Sequence, residues 1–224
     1  MSTEHKKTDQ DIQSDVVKEL AWDTRLSTTE IGVLVKHGVV TLTGTVDAWA
    51  KVGAAEAAAH RVVGVLDVAN ELAVELPGSA HRTDADVAEA VRHAIEWDTL
   101  VPNELIRSTV SHGVVTLEGT VPYWSQRYDS ERAVERLAGV SRVVNRIEVE
   151  PKDEVDLQDA RRAVAKALEL HAHREAARID LQADERVVDV RGVVHTWREH
   201  AAVLGAVRGT RGVRQVHDHL VVRP

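Results

Sequence analysis

The sequence predicts an α+β protein made of three tandem modules in the order helix, strand, strand, helix, strand. Each is expected to be a small three-stranded mixed sheet with two helices packed on one face. The same pattern recurs at offsets of 75 and 73 residues. In every copy, helical apolar spacing gives way to strict alternation. The aligned segments read GVVTLTGTVDAW (38–49), GVVTLEGTVPYW (113–124) and RVVDVRGVVHTW (186–197).

The repeat also sets the expected domain boundaries. After a polar tail (residues 1–8), the modules cover residues 9–76, 84–150 and 157–224. The joining segments, PGSAHRT and EPKDEVD, each have seven residues. An extended segment of that length reaches at most ~25 Å, so neighbouring modules are expected to stay close together.

The first helix of each module is predicted from its start signal and its apolar spacing. Thr8 and Thr83 each precede an aspartate by three residues, which fits a capping box, and Asp156 gives a looser version. The apolar positions that follow are Ile12, Val16 and Leu20, then Val87, Val91 and Ile95, then Ala160, Val164 and Leu168.

A hairpin is expected next, because apolar residues alternate on both sides of a short turn. In the first module they are Ile31, Val33 and Val35, then Val40, Leu42 and Val46. Gly38 and Gly113 suit a turn that needs positive φ. Arg186 takes that place in the third module, so its turn is expected to differ.

The second helix is predicted from Trp49 to about Val63, with alanines on one side and Gly64 as its C-cap. Gly139 and Gly212 align with Gly64. A third strand follows, with Val68, Asn70, Leu72 and Val74 on one face.

Two aligned sets of residues lie on the inward face of the sheet. Gly44, Gly119 and Gly192 predict a close contact between a strand and the alanine side of the second helix. Asn70, Asn145 and Asp218 are expected to bond to loop or hairpin backbone, since a buried amide needs partners. Contact with a ligand or an ion is the alternative for this second set.

Tryptophan supplies five of the seven aromatic residues. Trp49, Trp124 and Trp197 align at the start of the second helix, which predicts a role inside each module, such as covering one end of the core. Docking onto a neighbouring module or a membrane interface is the alternative. Trp22 and Trp97 end the first helix, and Leu170 takes their place in the third module, which favours packing.

The repeated pattern resembles the BON domain, named for bacterial OsmY and nodulation proteins. The resemblance rests on VVTLTGTV, the alanine-rich helix and VANELAV in the first module, and on VVTLEGTV and VVNRIEV in the second. The third copy is degenerate. The resemblance implies a non-enzymatic module associated with the envelope, with osmotic stress and with phospholipid binding. Some members of the family are cytoplasmic, and one of these binds potassium.

No catalytic or cofactor motif is found in the sequence, and no cofactor is expected. There is no cysteine, Walker loop, G-x-S-x-G or H-E-x-x-H pattern, and GAVRGTRG (205–212) has the wrong spacing for a dinucleotide loop. His171 and His173, and His217 and His219, form suggestive pairs. A stable metal site needs three or four ligands, so no metal is predicted.

The formal net charge of −8 is distributed unevenly. The first two modules are acidic, whereas the third carries 12 basic and 9 acidic residues. This asymmetry predicts one of two outcomes. Either the third module pairs electrostatically with the acidic modules, within the chain or by self-association, or it contacts an anionic surface. The arginines expected to serve that contact are Arg161, Arg162, Arg174, Arg178, Arg198, Arg208, Arg211 and Arg214. No pattern favours nucleic acid.

The start of the sequence shows no signal peptide or lipobox cysteine, and no apolar run could span a bilayer. A cytoplasmic protein is therefore expected. Three functional hypotheses follow. The first is a module array that binds anionic phospholipid or envelope components under stress. The second is a sensor for K⁺ or a small ligand, and the third is an oligomerising scaffold.

Overall fold

A computed structural model describes residues 7–26, 30–78, 82–169 and 179–223. The predicted element order is confirmed in all three modules. The first contains α1 (Asp9–Trp22), β1 (Ile31–Lys36), β2 (Val39–Val46), α2 (Trp49–His60) and β3 (Asp67–Val74). The second contains α3 (Asp84–Trp97), a 3₁₀ turn (Asn103–Leu105), β4 (Ile106–Ser111), β5 (Val114–Val121), α4 (Trp124–Val134) and β6 (Arg142–Val149). The third contains α5 (Leu157–Glu169), β7 (Asp180–Asp184), β8 (Val187–Val194), α6 (Trp197–Arg208) and β9 (Gln215–Val222).

Each module forms its own mixed sheet, as the sequence predicts. The hairpin strands β1 and β2 pair antiparallel, and β3 then pairs parallel to β2 on its other side. Parallel strands need a long crossover, which the second helix provides. The other two modules repeat this arrangement, so every sheet has one central strand and two edge strands.

Three separate cores lie between the sheets and their helices. The predicted apolar faces of α1 and α3 are buried, and their residues are Ile12, Val16, Leu20, Val87, Val91 and Ile95. Core clusters of the described residues belong mainly to one module each. Modules of this size bury little apolar surface, so contacts between modules matter for stability.

The predicted capping boxes form at Thr8 with Asp11 and at Thr83 with Asp86, each with both reciprocal hydrogen bonds. The start of the helix has a second role, which the sequence pattern did not predict. Asp9 accepts hydrogen bonds from the backbone N–H groups of His37 and Gly38, at 2.7 and 2.9 Å. Asp84 does the same for His112 and Gly113, at 2.8 and 2.9 Å. A carboxylate on the first helical residue therefore holds the hairpin turn against the helix.

The expected difference in the third module's turn is found. His37 and Gly38 both have positive φ, as do His112 and Gly113, whereas only Glu185 has positive φ in the third turn. Leu157 stands where the first two modules have the turn-binding aspartate. The loss of the carboxylate and the loss of the glycine therefore occur together.

The prediction that Gly44 contacts the second helix is wrong. Gly44 has φ +110°, and an added Cβ would lie 1.9 Å from the carbonyl oxygen of Glu30, just before β1. Gly119 has φ +145°, and an added Cβ would lie 2.0 Å from the carbonyl oxygen of Leu105. The close neighbour is backbone leading into the edge strand, so the glycine is required by that approach and by its dihedral angles.

The second helix is shorter than predicted and ends at His60. The chain then turns before reaching Gly64, which is not the cap residue. An added Cβ at Gly64 would lie 2.9 Å from Cδ1 of Ile12, so this glycine lets the loop pass over the first helix. The equivalent Gly139 approaches Val87 of α3 in the same way.

Gly119→Ala is expected to destabilise the protein by about 2 kcal/mol or more, because the new methyl group meets rigid backbone at positive φ. Urea unfolding of the full chain measures this effect. Gly53→Ala is the matched control, since Gly53 lies within α2 and nothing lies within 4 Å of its added Cβ. The control should be neutral or more stable by about 0.5–1 kcal/mol. Equal stability of the two variants would contradict the assigned contact.

Asp84→Asn is expected to lower the melting temperature at neutral pH. The pKa of Asp84 is lowered, first by the backbone N–H of Gly113 and then by that of His112. A lowered pKa stabilises the fold above the unfolded value of about 3.9, and the effect disappears as pH falls through the folded value. The difference in melting temperature from the native chain should therefore shrink below about pH 4. A difference that stays constant from pH 7 to pH 3 would show that charge is not involved.

Candidate functional site

The aligned asparagines fasten the third strand to the second helix. The Asn70 amide group donates to the carbonyl oxygen of Val52 at 3.1 Å and to the Glu56 carboxylate at 3.3 Å, and its oxygen accepts from the N–H of Leu72. Asn145 makes the equivalent three bonds to Arg127, Glu131 and Ile147. The partners include helix backbone, whereas loop or hairpin backbone was expected. Both ends of each amide are occupied, which favours a structural role.

Asp218 replaces this asparagine in the third module, and its partner changes with it. Its carboxylate accepts from the N–H of Leu220 at 2.9 Å and lies 2.9 Å from Nε2 of His200. The residue equivalent to Glu56 and Glu131 is Leu204. A carboxylate on the strand and an imidazole on the helix thus replace an amide on the strand and a carboxylate on the helix.

The aligned tryptophans contact neighbouring modules. Trp49 of the first module packs against the core of the second. Trp197 of the third module packs against the core of the first. At these two positions the structure favours the neighbouring-module alternative over a role inside the module. Trp124 packs against the core of its own module and also meets the third.

The junction between the second and third modules is built on cations and aromatic rings. The guanidinium of Arg208, at the end of α6, lies 5.3 Å from the Trp124 ring centre and donates to the Tyr128 hydroxyl at 2.9 Å. Arg127 lies 5.6 Å from the same ring centre. Such a cation–π contact is worth about 0.5–2 kcal/mol, depending on exposure.

The junction between the third and first modules has the same plan with different side chains. The Trp197 ring centre lies 4.5 Å from that of His60, at the end of α2, and 4.6 Å from that of His200. His60 and His200 align with Arg208 and Arg127 of the other junction. The pKa of Glu56 is lowered, mainly by its interaction with His60, while partial burial opposes the shift and Asn70 adds to it.

These contacts follow one cyclic order. The second helix of the first module begins against the second module, that of the second module against the third, and that of the third module against the first. Contacts made in this cyclic order, although they differ in detail, join the three modules into a ring. Equivalent residues of a cyclic arrangement lie on the same face of the ring.

Trp22 and Trp97 lie on the surface, each with 85% of its area exposed. Packing was expected at these positions, and that expectation is wrong. The helix turns by about 100° per residue, so Trp22 lies roughly 200° around α1 from the buried Leu20. This spacing was visible in the sequence. The two indoles occupy equivalent positions and therefore lie on one face of the ring.

The eight arginines proposed from the sequence do not form a single cluster of free charges. Arg174 and Arg178 lie outside the described residues, and the Arg208 guanidinium packs against the Trp124 ring. Arg162 pairs with Asp159, Arg214 with Glu150, and Arg161 donates to the carbonyl oxygen of Leu181. Within the described part of this set, Arg198 and Arg211 are exposed and unpaired.

The histidine pairs form no metal centre in the part of the chain that the structure describes. His217 and His219 lie on the outer face of their sheet, and each approaches the carboxylate of Asp189, at 3.6 and 3.4 Å. No group of three or more potential metal ligands occurs among the described residues. His171 and His173 lie outside them.

Comparison with known proteins agrees with the module structure. The family model of the BON domain matches residues 8–75, 83–151 and 156–224. Osmotically-inducible protein Y of Escherichia coli (strain K12) is 28% identical over 141 residues, which are 61% of this chain and 70% of that protein. An uncharacterized protein in the gshII 5′ region of Anaplasma centrale is 34% identical over 117 residues, 50% of this chain and 77% of that protein. The chain belongs to the BON-domain family and contains three BON domains in tandem.

Among solved structures, the C-terminal domain of CdsD, the structural protein of the type III secretion system of Chlamydia trachomatis, aligns with 97% of this chain and 100% of its own. The identity is 12% and the TM-score is 0.25, which is too low to support a conclusion. Separately, no helix among the described residues is long and apolar enough to cross a membrane.

Trp197→Ala is expected to open the junction between the third and first modules. The indole is partly buried between two imidazoles, and its loss should cost on the order of 2 kcal/mol. Small-angle scattering should show a larger radius of gyration, and the melting temperature should fall. Trp22→Ala is the matched control, because this exposed indole should affect neither value. An unchanged radius of gyration in the Trp197 variant would contradict the closed ring.

Proposed function

We propose that this chain is a non-enzymatic binding protein whose three BON domains act together at an anionic phospholipid surface or on envelope components, under osmotic or general stress. The observation that carries the proposal is the exposure of Trp22 and Trp97, which occupy equivalent positions in two domains. From the cyclic order of the contacts between domains, we infer that both indoles lie on one face of the ring. Two large indoles left in water at repeated positions are typical of a docking face.

Other exposed apolar residues enlarge the docking face in the second domain. Leu100 and Leu105 lie in the segment between Trp97 and β4, and they are 65% and 47% exposed. Tryptophan prefers the boundary between lipid headgroups and acyl chains, where its ring is apolar and its N–H remains hydrated. If each indole withdraws on the order of 100 Å² of apolar surface from water, each contributes ~2.5 kcal/mol to binding.

The preference for an anionic surface is inferred from charge. The third domain carries the basic excess, and Arg198 and Arg211 are exposed there with no ionic partner in the part of the chain that the structure describes. In the sequence, the connection equivalent to those that follow Trp22 and Trp97 holds Arg174 and Arg178. Basic groups near an anionic leaflet are worth about 1 kcal/mol each, so a few of them add to the tryptophans.

The stress setting rests on the similarity to osmotically-inducible protein Y. The K⁺- or ligand-sensor hypothesis has less support, since the Asn70 and Asn145 amides are engaged by helix and strand. The scaffold hypothesis would use the aligned tryptophans between copies. In this structure, Trp49, Trp124 and Trp197 make their contacts within one chain.

Trp22→Ala combined with Trp97→Ala is expected to weaken binding to phosphatidylglycerol vesicles by at least about tenfold, equivalent to 1.4 kcal/mol. Co-sedimentation at low and physiological salt measures binding, with phosphatidylcholine vesicles alongside. The native chain should prefer the anionic vesicles, and the preference should weaken with salt. Its tryptophan fluorescence should shift to shorter wavelength on binding.

Leu34→Ala is the control variant, because Leu34 is 62% exposed on the outer face of the first sheet. It should bind vesicles like the native chain, and all variants should keep the native melting temperature. Equal binding by the double tryptophan variant would remove the proposed docking face. Failure of the native chain to bind either vesicle would overturn the membrane proposal itself.

A further inference from the structure

The edge strands of the three domains differ in a way that marks one of them as a docking site. In the first domain, Nε2 of Gln13 on α1 donates to the carbonyl oxygen of Val33 on β1, at 2.7 Å. In the third, the guanidinium of Arg161 on α5 donates to the carbonyl oxygen of Leu181 on β7, at 3.4 Å. In both domains a helix side chain therefore covers the free edge of the sheet.

The second domain lacks this cover. Its residue equivalent to Gln13 and Arg161 is Ala88, which has no side-chain donor. Its residue equivalent to Val33 and Leu181 is Ser108, which also has a smaller side chain. No described side chain donates to the Ser108 carbonyl oxygen.

The hairpin register shows which backbone groups of β4 are free. Ser111 pairs with Val114 across the two-residue turn, and pairs that bond to each other alternate along the strands. Arg107, Thr109 and Ser111 therefore bond to β5, whereas the N–H and C=O groups of Ser108 and Val110 point away from it. A row of unpaired groups on an edge strand is a template for another strand.

A groove of about 1050 Å³ runs between α3 and this edge. Ala85, Ala88 and Ser108 are among its lining residues, and their small side chains leave room there. The groove also exposes Glu89, Glu96 and Glu104, as well as Arg92 and Arg107, none of which has an ionic partner among the described residues. Carboxylates are in excess here, in a domain (residues 84–150) that carries 7 basic and 12 acidic residues.

We propose that β4 and α3 form a docking groove for an extended, basic peptide segment of a partner protein, which adds to the sheet as a fourth strand. The other two domains show which kind of group binds at this position: an amide N–H in the first and a guanidinium N–H in the third. A backbone N–H of the peptide takes that place on Ser108. Apolar side chains enter above Ala88, and basic side chains meet the unpaired carboxylates. Strand addition of this kind takes affinity from the backbone and specificity from alternate side chains.

The test uses the full chain and a short, capped peptide of alternating lysine and valine. Peptide titration, followed by backbone amide NMR, should shift the signals of β4 and α3 and slow hydrogen exchange at Ser108. Ala88→Gln restores the cover seen in the first domain, and it should raise the Kd by about tenfold or more. His93→Gln, also on α3 but away from the groove, should bind like the native chain.

Two further peptides separate strand addition from simple charge attraction. Replacing the central valine by proline removes a backbone donor, so binding should weaken while the charge stays the same. A glutamate–valine peptide should bind more weakly than the lysine–valine peptide. Shifts spread over other acidic surfaces, or equal affinity of the Ala88→Gln variant, would overturn the proposal. Peptide-free dimerisation that Ala88→Gln abolishes would replace the partner peptide with a second copy of the chain.

Discussion

The three-domain structure depends on tryptophans at the start of the second helix, each of which contacts the neighbouring domain. Among the described residues, each domain encloses a core of 9 to 13 buried apolar side chains, which is little for an independent fold. Trp49, Trp124 and Trp197 add apolar burial and cation–π or ring contacts at the corners between domains. Because the contacts follow one cyclic order, they also place equivalent surfaces of the three domains on the same side of the ring.

The corners follow one plan but differ in chemistry. One indole is flanked by two arginine guanidinium groups, and another by two histidine rings. The indole N–H groups of Trp124 and Trp197 are buried and have no hydrogen-bond partner among the described residues, so these contacts rely on the ring faces. The copies thus share a geometry but differ in the groups that stabilise it. The copies also differ at the sheet edge. A helix side chain covers the edge strand in the first and third domains, whereas the edge strand of the second domain is open.

Much of the fold could be predicted from the sequence, because repetition tested each local signal three times. Helix starts at Thr8 and Thr83, buried faces such as Ile12–Val16–Leu20 and the altered third turn all follow from local rules. The partner of Gly44 could not be predicted this way, since its neighbour is a carbonyl group brought close by the hairpin. The role of Asp9 and Asp84 at the turn was missed for the same reason, as 28 or 29 residues separate each donor from its acceptor. The candidate site was less predictable still. The arginines were grouped because they are close in the sequence, but Arg208 contacts Trp124 at the junction between two domains. The exposure of Trp22 and Trp97 follows from their angle on the helix, and their repetition in two domains led instead to a prediction of packing.

Ring closure is the central claim, because it places Trp22 and Trp97 on one face and joins the three domains into one unit. It is tested most directly by the distance between the first and third domains in solution. The chain has no cysteine, so Val63→Cys and Arg198→Cys introduce two unique labelling sites on opposite sides of the cleft at Trp197. Double electron–electron resonance between spin labels at these sites should give one short, narrow distance distribution. A broad distribution reaching long distances would show that the domains are connected only by their linkers and would contradict the ring.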